Sequence, residues 1–135
     1  MTTVWPAYSG PDDLAAVEAV PVEARGLPGS VYELLRGAAQ ERPDAVAHRT
    51  MRDGSAWDTP VVRTYAALLD EVHRRANVLS SLGVGRTDAV GLLSVNTAEL
   101  VPALIAAETV GIAAPLNPAL HGDDPVFRDA FERCA

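Results

Sequence analysis

The sequence predicts an α/β fold, with the order helix, β-hairpin, helix, and then a βαβ unit whose two strands are parallel. Three observations carry that expectation. Segments beginning at Ser30 and Thr64 place apolar residues at helical spacing behind a hydroxyl-bearing cap residue. Two short apolar runs, Ala89–Val95 and Ile112–Leu116, suit strands covered on both faces. Between them lies an apolar stretch of helical length that opens at Asn96. Strand, helix and strand joined by short links form a parallel pair with a right-handed crossover almost by rule.

Composition bounds the function. The 135 residues are the size of one ordinary domain, and 48% hydrophobic against 21% charged is globular, not disordered. A net charge of −7 excludes the electrostatic footprint of a nucleic-acid binder, and anionic membrane surfaces should repel the chain. The one cysteine, Cys134, cannot form an internal disulfide, which fits a reducing compartment and an expected cytoplasmic location. The first residues, Met1 to Leu14, lack the basic flank and apolar core of a signal peptide. Leu100 to Leu116 is apolar over 17 residues, near the roughly 20 that span a bilayer. Pro102, Glu108, Gly111 and Pro115 interrupt it, so a buried helix followed by a strand is expected instead.

Each element has a local reason. Residues 1–29 carry four prolines and little periodicity, which predicts an extended lead-in. At most one helical turn is expected there, around Asp12–Val20, capped by Asp12 or Asp13. Ser30-Val31-Tyr32-Glu33 reads as a capping box, with Leu34, Leu35, Ala38 and Ala39 as the apolar face behind it. Pro43 ends that helix, because its ring disfavours helical geometry at Arg42. Ala45–Met51 alternates like a strand, Asp53-Gly54 has the form of a two-residue hairpin turn, and Trp57–Val62 is the return strand. Pro60 marks the return strand as an edge or a short one. Thr64 then caps a helix whose inner face is Leu68, Leu69, Val72, Ala76, Leu79 and Leu82, with Asp70, Glu71, Arg74 and Arg75 on the outer face. Gly83 closes it in the left-handed conformation. Asn96 is expected to cap the next helix, which Pro102 weakens in its second turn and Gly111 breaks near Val110. Past Pro118, a loop leads to a short helix capped by Asp123 or Asp124 with Pro125 at its first position.

No motif in this chain carries chemistry on its own. Gly83-Val84-Gly85 follows a helix and precedes a strand, the reverse of a dinucleotide-binding turn, so its glycines read as caps. His48, His73 and His121 form no i, i+4 pair, and His121-Gly122-Asp123-Asp124 is explained by loop polarity and capping. Ser80, Ser81 and Ser94 lack a nucleophile elbow. Cys134 lies beside a terminus, where precise geometry is hard to hold. His73-Arg74-Arg75 could face a phosphate, but a solvated helix face paired with Asp70 and Glu71 is the simpler expectation.

Three segments together resemble a known family. Thr64-Tyr65-x-x-Leu68, then Leu82-Gly83-Val84 with Asp88-x-Val90, then Ala107 through Asn117 (AETVGIAAPLN) are similar to the early signatures of the adenylate-forming (AMP-binding) enzymes. That superfamily holds the acyl-CoA synthetases, the luciferases and the peptide-synthetase adenylation domains. The resemblance runs from about Ser30 to Leu120 and places the chain in the N-terminal subdomain of the family's large domain. It implies three parts: a lead-in at 1–29, a partial AMP-binding domain at 30–120, and a truncated loop and helix at 121–135. Pro115-Leu116-Asn117-Pro118 is closest to the acyl- and fatty-acyl-CoA synthetases, which implies fatty acid metabolism.

The full-length family enzyme uses ATP, Mg and CoA to adenylate a carboxylate and then form a thioester. Its Ser/Thr/Gly-rich ATP loop, its adenine- and ribose-binding groups and its catalytic lysine come later than these signatures. The chain contains no lysine. The resemblance therefore assigns no catalytic, cofactor-binding or metal residue here, and no cofactor to this chain alone. It implies an N-terminal piece of an acyl-CoA synthetase-like ligase, inactive by itself. One half of a split ligase and a small α/β interaction module are the alternatives. The expected partner is the remainder of the ligase, or a second copy joined through an exposed sheet edge. Alone, the chain is expected to be oligomeric, aggregated or partly molten.

Overall fold

A computed structural model of the chain describes residues 9–51, 53–119 and 124–133. Helix α1, Pro11–Glu18, starts from an extended Gly10, with Pro11 at the first helical position. Asp13 stands inside the first turn and accepts the Ser9 amide at 2.9 Å, so neither Asp12 nor Asp13 is the cap residue. A 3-10 turn, Val22–Arg25, follows Pro21 and closes on Gly26 at φ 64°. The lead-in is thus more helical than its proline content predicted. Pro11 and Pro21 sit at helix starts, where a preset φ helps and the missing N–H costs nothing. No residue of α1 is buried.

Helix α2, Val31–Glu41, has the expected cap: the Ser30 hydroxyl accepts the Glu33 amide at 3.1 Å. Glu33 reaches back one residue further than a capping box requires and takes the Gly29 amide at 2.9 Å. Only Leu35 and Ala39 of its expected face are buried, and Leu34 is 58% exposed.

Strands β1, Val46–Thr50, and β2, Val61–Thr64, pair antiparallel, with Thr50 opposite Val61, Val46 opposite Thr64, and an irregularity between Val46 and His48. The two-residue turn expected at Asp53-Gly54 is not formed. Asp53 instead caps a 3-10 turn, Gly54–Ala56, by accepting the Ser55 amide at 2.8 Å. Gly54 has no positive φ, so the primed hairpin turn is excluded. The return strand begins after Pro60 instead of at Trp57, which is 73% exposed.

Helix α3, Tyr65–Ser81, starts where expected, the Thr64 hydroxyl accepting the Ala67 amide at 3.2 Å. Leu68, Val72 and Ala76 form its buried stripe. Leu82 lies past the last turn and is 75% exposed, contrary to the periodicity. Gly83 at φ 89° closes the helix: its amide bonds Ser80 O at 3.0 Å, and the Val84 amide bonds Leu79 O at 3.1 Å. These two bonds are the Schellman pattern.

Strands β3, Ala89–Leu93, and β4, Ile112–Leu116, are parallel, in register from Ala89 opposite Ile112 to Leu93 opposite Leu116. Helix α4, Leu100–Val110, connects them. Asn96 does not cap it; the cap position is Glu99, without a side-chain bond. Pro102 is therefore third in the helix, inside the first turn, where no amide partner is lost. α3 packs on α4, α2 and the hairpin, and Leu35, Leu68, Val72, Ala76 and Ala106 form the core.

The parallel pair is not covered on both faces. Ala89, Gly91 and Leu93 share one face with Ile112, Ala114 and Leu116 by register. Gly91, Leu93 and Ile112 are exposed, so this face lies open. Helix α5, Pro125–Glu132, is capped by Asp124, whose carboxylate accepts the Val126 amide at 2.8 Å; Asp123 falls outside the described residues. Among the described residues no helix is long and apolar enough to cross a membrane.

Candidate functional site

The sequence signals disperse over the fold. His48 lies half-buried on β1 and hydrogen bonds the neighbouring Thr50 hydroxyl through Nε2 at 3.0 Å. His73, exposed on α3, shares a 3.0 Å hydrogen bond with the Tyr32 hydroxyl of α2. Ser81 bonds Val78 O at 2.7 Å and Ser94 bonds Val95 O at 2.8 Å, each to its own local backbone. Gly83 and Gly85 are used in caps and turns, as expected; the Gly85 amide donates to Asp88 Oδ2 at 2.7 Å. His121 and Cys134 lie outside the described residues. Among the described residues, no three His, Cys, Asp or Glu side chains cluster as a metal site.

The charged residues that do converge are Arg63, Glu71, Arg74, Arg75 and Glu99. They line an open concavity of about 330 Å³ between β2, α3 and the turn before α4. Arg63, at the end of β2, keeps only 11% of its side chain exposed. Its Nε meets Glu71 Oε1 at 3.0 Å, its Nη1 donates to the Ala98 carbonyl at 2.8 Å, and its Nη2 stands 3.6 Å from Glu99 Oε1. Arg75 Nη2 holds the other Glu71 oxygen at 3.3 Å. Burial pushes the Glu71 carboxyl up, but hydrogen bonds and charge from Arg63 and Arg75 pull harder, and its pKa ends below the ordinary glutamate value.

Periodicity placed Glu71 and Arg75 on a solvated face beside Asp70 and Arg74. Asp70 and Arg74 are exposed there, whereas Glu71 and Arg75 turn inward to meet Arg63. Arg63 was not legible as a partner, because it meets Ala98 across 35 residues of sequence. Chemically, two carboxylates oppose three guanidinium groups here. The ion pairs cross-link β2, α3 and the turn before α4.

Comparison with known proteins supplies what the site does not. A family model described as "AMP-binding enzyme" matches residues 35–127. Marinolic acid–CoA ligase of Pseudoalteromonas sp. is 31% identical over 108 residues, covering 80% of this chain and 16% of that protein. The p-hydroxybenzoic acid–AMP ligase FadD22 of Mycobacterium marinum is 38% identical over 84 residues, covering 62% of this chain and 12% of its own length. Among solved structures, a Mycobacterium tuberculosis fatty acyl CoA synthetase superposes with TM-score 0.54 at 30% identity, over 66% of this chain and 17% of that one. The N-terminal subdomain of Klebsiella oxytoca NpsA superposes with TM-score 0.65 over 78% of this chain and 25% of that one. At 18% identity it speaks for the fold alone. The chain thus spans less than a fifth of the length of the two ligases it matches, and it folds as part of the N-terminal subdomain of adenylate-forming enzymes. With its family model matched over residues 35–127, the chain belongs to the AMP-binding enzyme family.

Proposed function

We propose that these 135 residues are the opening unit of an AMP-dependent acid–thiol ligase of the acyl-CoA synthetase type, and that alone they do not catalyse adenylation. In the whole ligase, ATP and Mg would activate a carboxylate as its acyl adenylate and CoA would take the acyl group, in the cytoplasm and in fatty acid metabolism. The observation that supports this reading is the family match over residues 35–127, which includes α3 and the parallel βαβ unit, together with ligases of which the chain covers only 16% and 12%.

The residues present do not fit a nucleotide or metal. The chain contains no lysine, and in the concavity between β2, α3 and the turn before α4, Arg63 and Arg75 are both engaged by Glu71. Phosphoryl and acyl-phosphate chemistry depends on preorganised charge around the transferring group, and among the described residues Arg63 and Arg75, which converge there, are held in ion pairs with Glu71 and Glu99. Its role is scaffold. The open face of β3 and β4, with Gly91 and Ala114 at its centre and Leu93, Ile112 and Leu116 around them, is a surface for the rest of the ligase domain to cover.

The test is carboxylate-dependent ATP–pyrophosphate exchange by the purified chain, run across aliphatic and aromatic acids. No exchange is expected. Exchange that depends on any one acid would overturn the proposal and place a complete adenylation site within these residues.

A further inference from the structure

The start of α4 contradicts its own local sequence. Asn96 followed by Glu99 has the spacing of a helix N-terminus, yet the helix starts at Leu100 and its first backbone bond runs from the Ala103 amide to Glu99 O at 3.1 Å. A helical carbonyl is satisfied by the amide four residues on. For Ala98 that residue is Pro102, which has no N–H and whose ring would clash with the Ala98 carbonyl in a continuous helix. Ala98 is only 8% exposed, so its carbonyl has little access to water. The donor it receives is Arg63 Nη1, from another element, at 2.8 Å.

We propose that Pro102 and Arg63 together form a helix-start lock. Pro102 denies the Ala98 carbonyl a helical partner, and Arg63 supplies the replacement donor. Asn96–Glu99 is thereby held as a turn and kept from joining α4. Glu71 and Arg75 act behind Arg63: Glu71 fixes the guanidinium through Nε, and Arg75 holds Glu71. Arg63 is a positioning residue in this scheme. The lock keeps the carboxyl end of β3 uncovered, which is the end of a parallel strand at which α/β proteins receive ligands.

A double-mutant cycle on the 135-residue chain tests the lock, with Arg63→Gln, Pro102→Ala and both together in dilute solution. The cycle cancels the cost of taking Arg63 from Glu71, which is common to both backgrounds. In Pro102→Ala, the 13Cα shifts of Thr97, Ala98 and Glu99 should turn helical, because the Ala98 carbonyl regains an amide four residues on. Arg63→Gln should then lower the folding equilibrium constant at least fivefold less than it does beside Pro102. Shifts that stay non-helical, with Arg63→Gln costing the same in both backgrounds, would overturn the lock. Should Pro102→Ala not fold, the Ala98 carbonyl 13C shift in Arg63→Gln decides. An upfield move on loss of the guanidinium donor is expected, and an unchanged shift overturns the proposal.

Discussion

Replacing Gly111 by alanine should break the seam on which the parallel pair is registered. A Cβ at this position would stand 2.6 Å from Asp88 O, 2.8 Å from Gly85 O and 3.3 Å from a Val84 methyl. The two shortest contacts are to backbone carbonyls, which cannot swing aside as a side chain would. Asp88 O is also the acceptor of the Ile112 amide at 2.9 Å, the bond that leads into the β3–β4 register. Relief must move either the 85–88 turn or the start of β4, and each move lengthens that bond. Overpacking of this kind costs about 1–3 kcal/mol, and the loss of one backbone hydrogen bond adds about 1 kcal/mol. A total near 3 kcal/mol corresponds to a drop of roughly 10 °C in Tm for a chain of this size. Urea and thermal unfolding would measure the loss, and amide exchange at Ile112 would show whether it is local to the seam. A variant that melts within a degree of wild type, with Ile112 still protected, would refute the close approach and the register built on it.

Two further substitutions probe the caps and the charged cluster. Thr64→Ala removes the hydroxyl that accepts the Ala67 amide and should cost about 1 kcal/mol; an unchanged midpoint in urea would show that α3 does not depend on that cap. Glu71 has a folded pKa below its unfolded value, so its ionised form adds stability above about pH 4.5, and this is lost as pH falls through the lower folded value. Glu71→Gln should therefore flatten the acid limb of a stability–pH curve. A limb of equal slope in both proteins would assign acid sensitivity to other carboxylates.

The elements whose determinants are local were legible in the sequence. Ser30, Thr64, Gly83 and Asp124 each act on groups within a turn of themselves, and each does what its residue type predicts. β4 runs over the expected Ile112–Leu116 because Gly111 and the strand it pairs with set both ends. What failed depends on distant partners or on neighbours that this unit does not contain. The helix expected from Asn96 starts at Leu100, where Arg63 reaches the Ala98 carbonyl from β2. Leu34 and Leu82 fit apolar patterns yet are exposed, since an apolar period names a face without saying what lies against it. The lead-in differs for another reason: proline content predicts extension, but Pro11 stands at the first position of a helix. The charged cluster was half legible, as the acid and base types at Glu71 and Arg75 imply pairing. Its third member, Arg63, comes from another element and has no local signature.

This member of the AMP-binding enzyme family leaves one face of β3 and β4 open, the face that we propose the rest of a ligase domain covers. Size-exclusion chromatography over a range of concentrations, with a dye that fluoresces on apolar surface, tests it most directly. The account predicts that the chain alone elutes at sizes that grow with concentration and binds the dye. It further predicts that Leu93→Glu, which sets a charge in the open face, reduces both effects. A sharp monomer peak at every concentration with no dye fluorescence would show that the face is closed and mark the chain as a self-sufficient module.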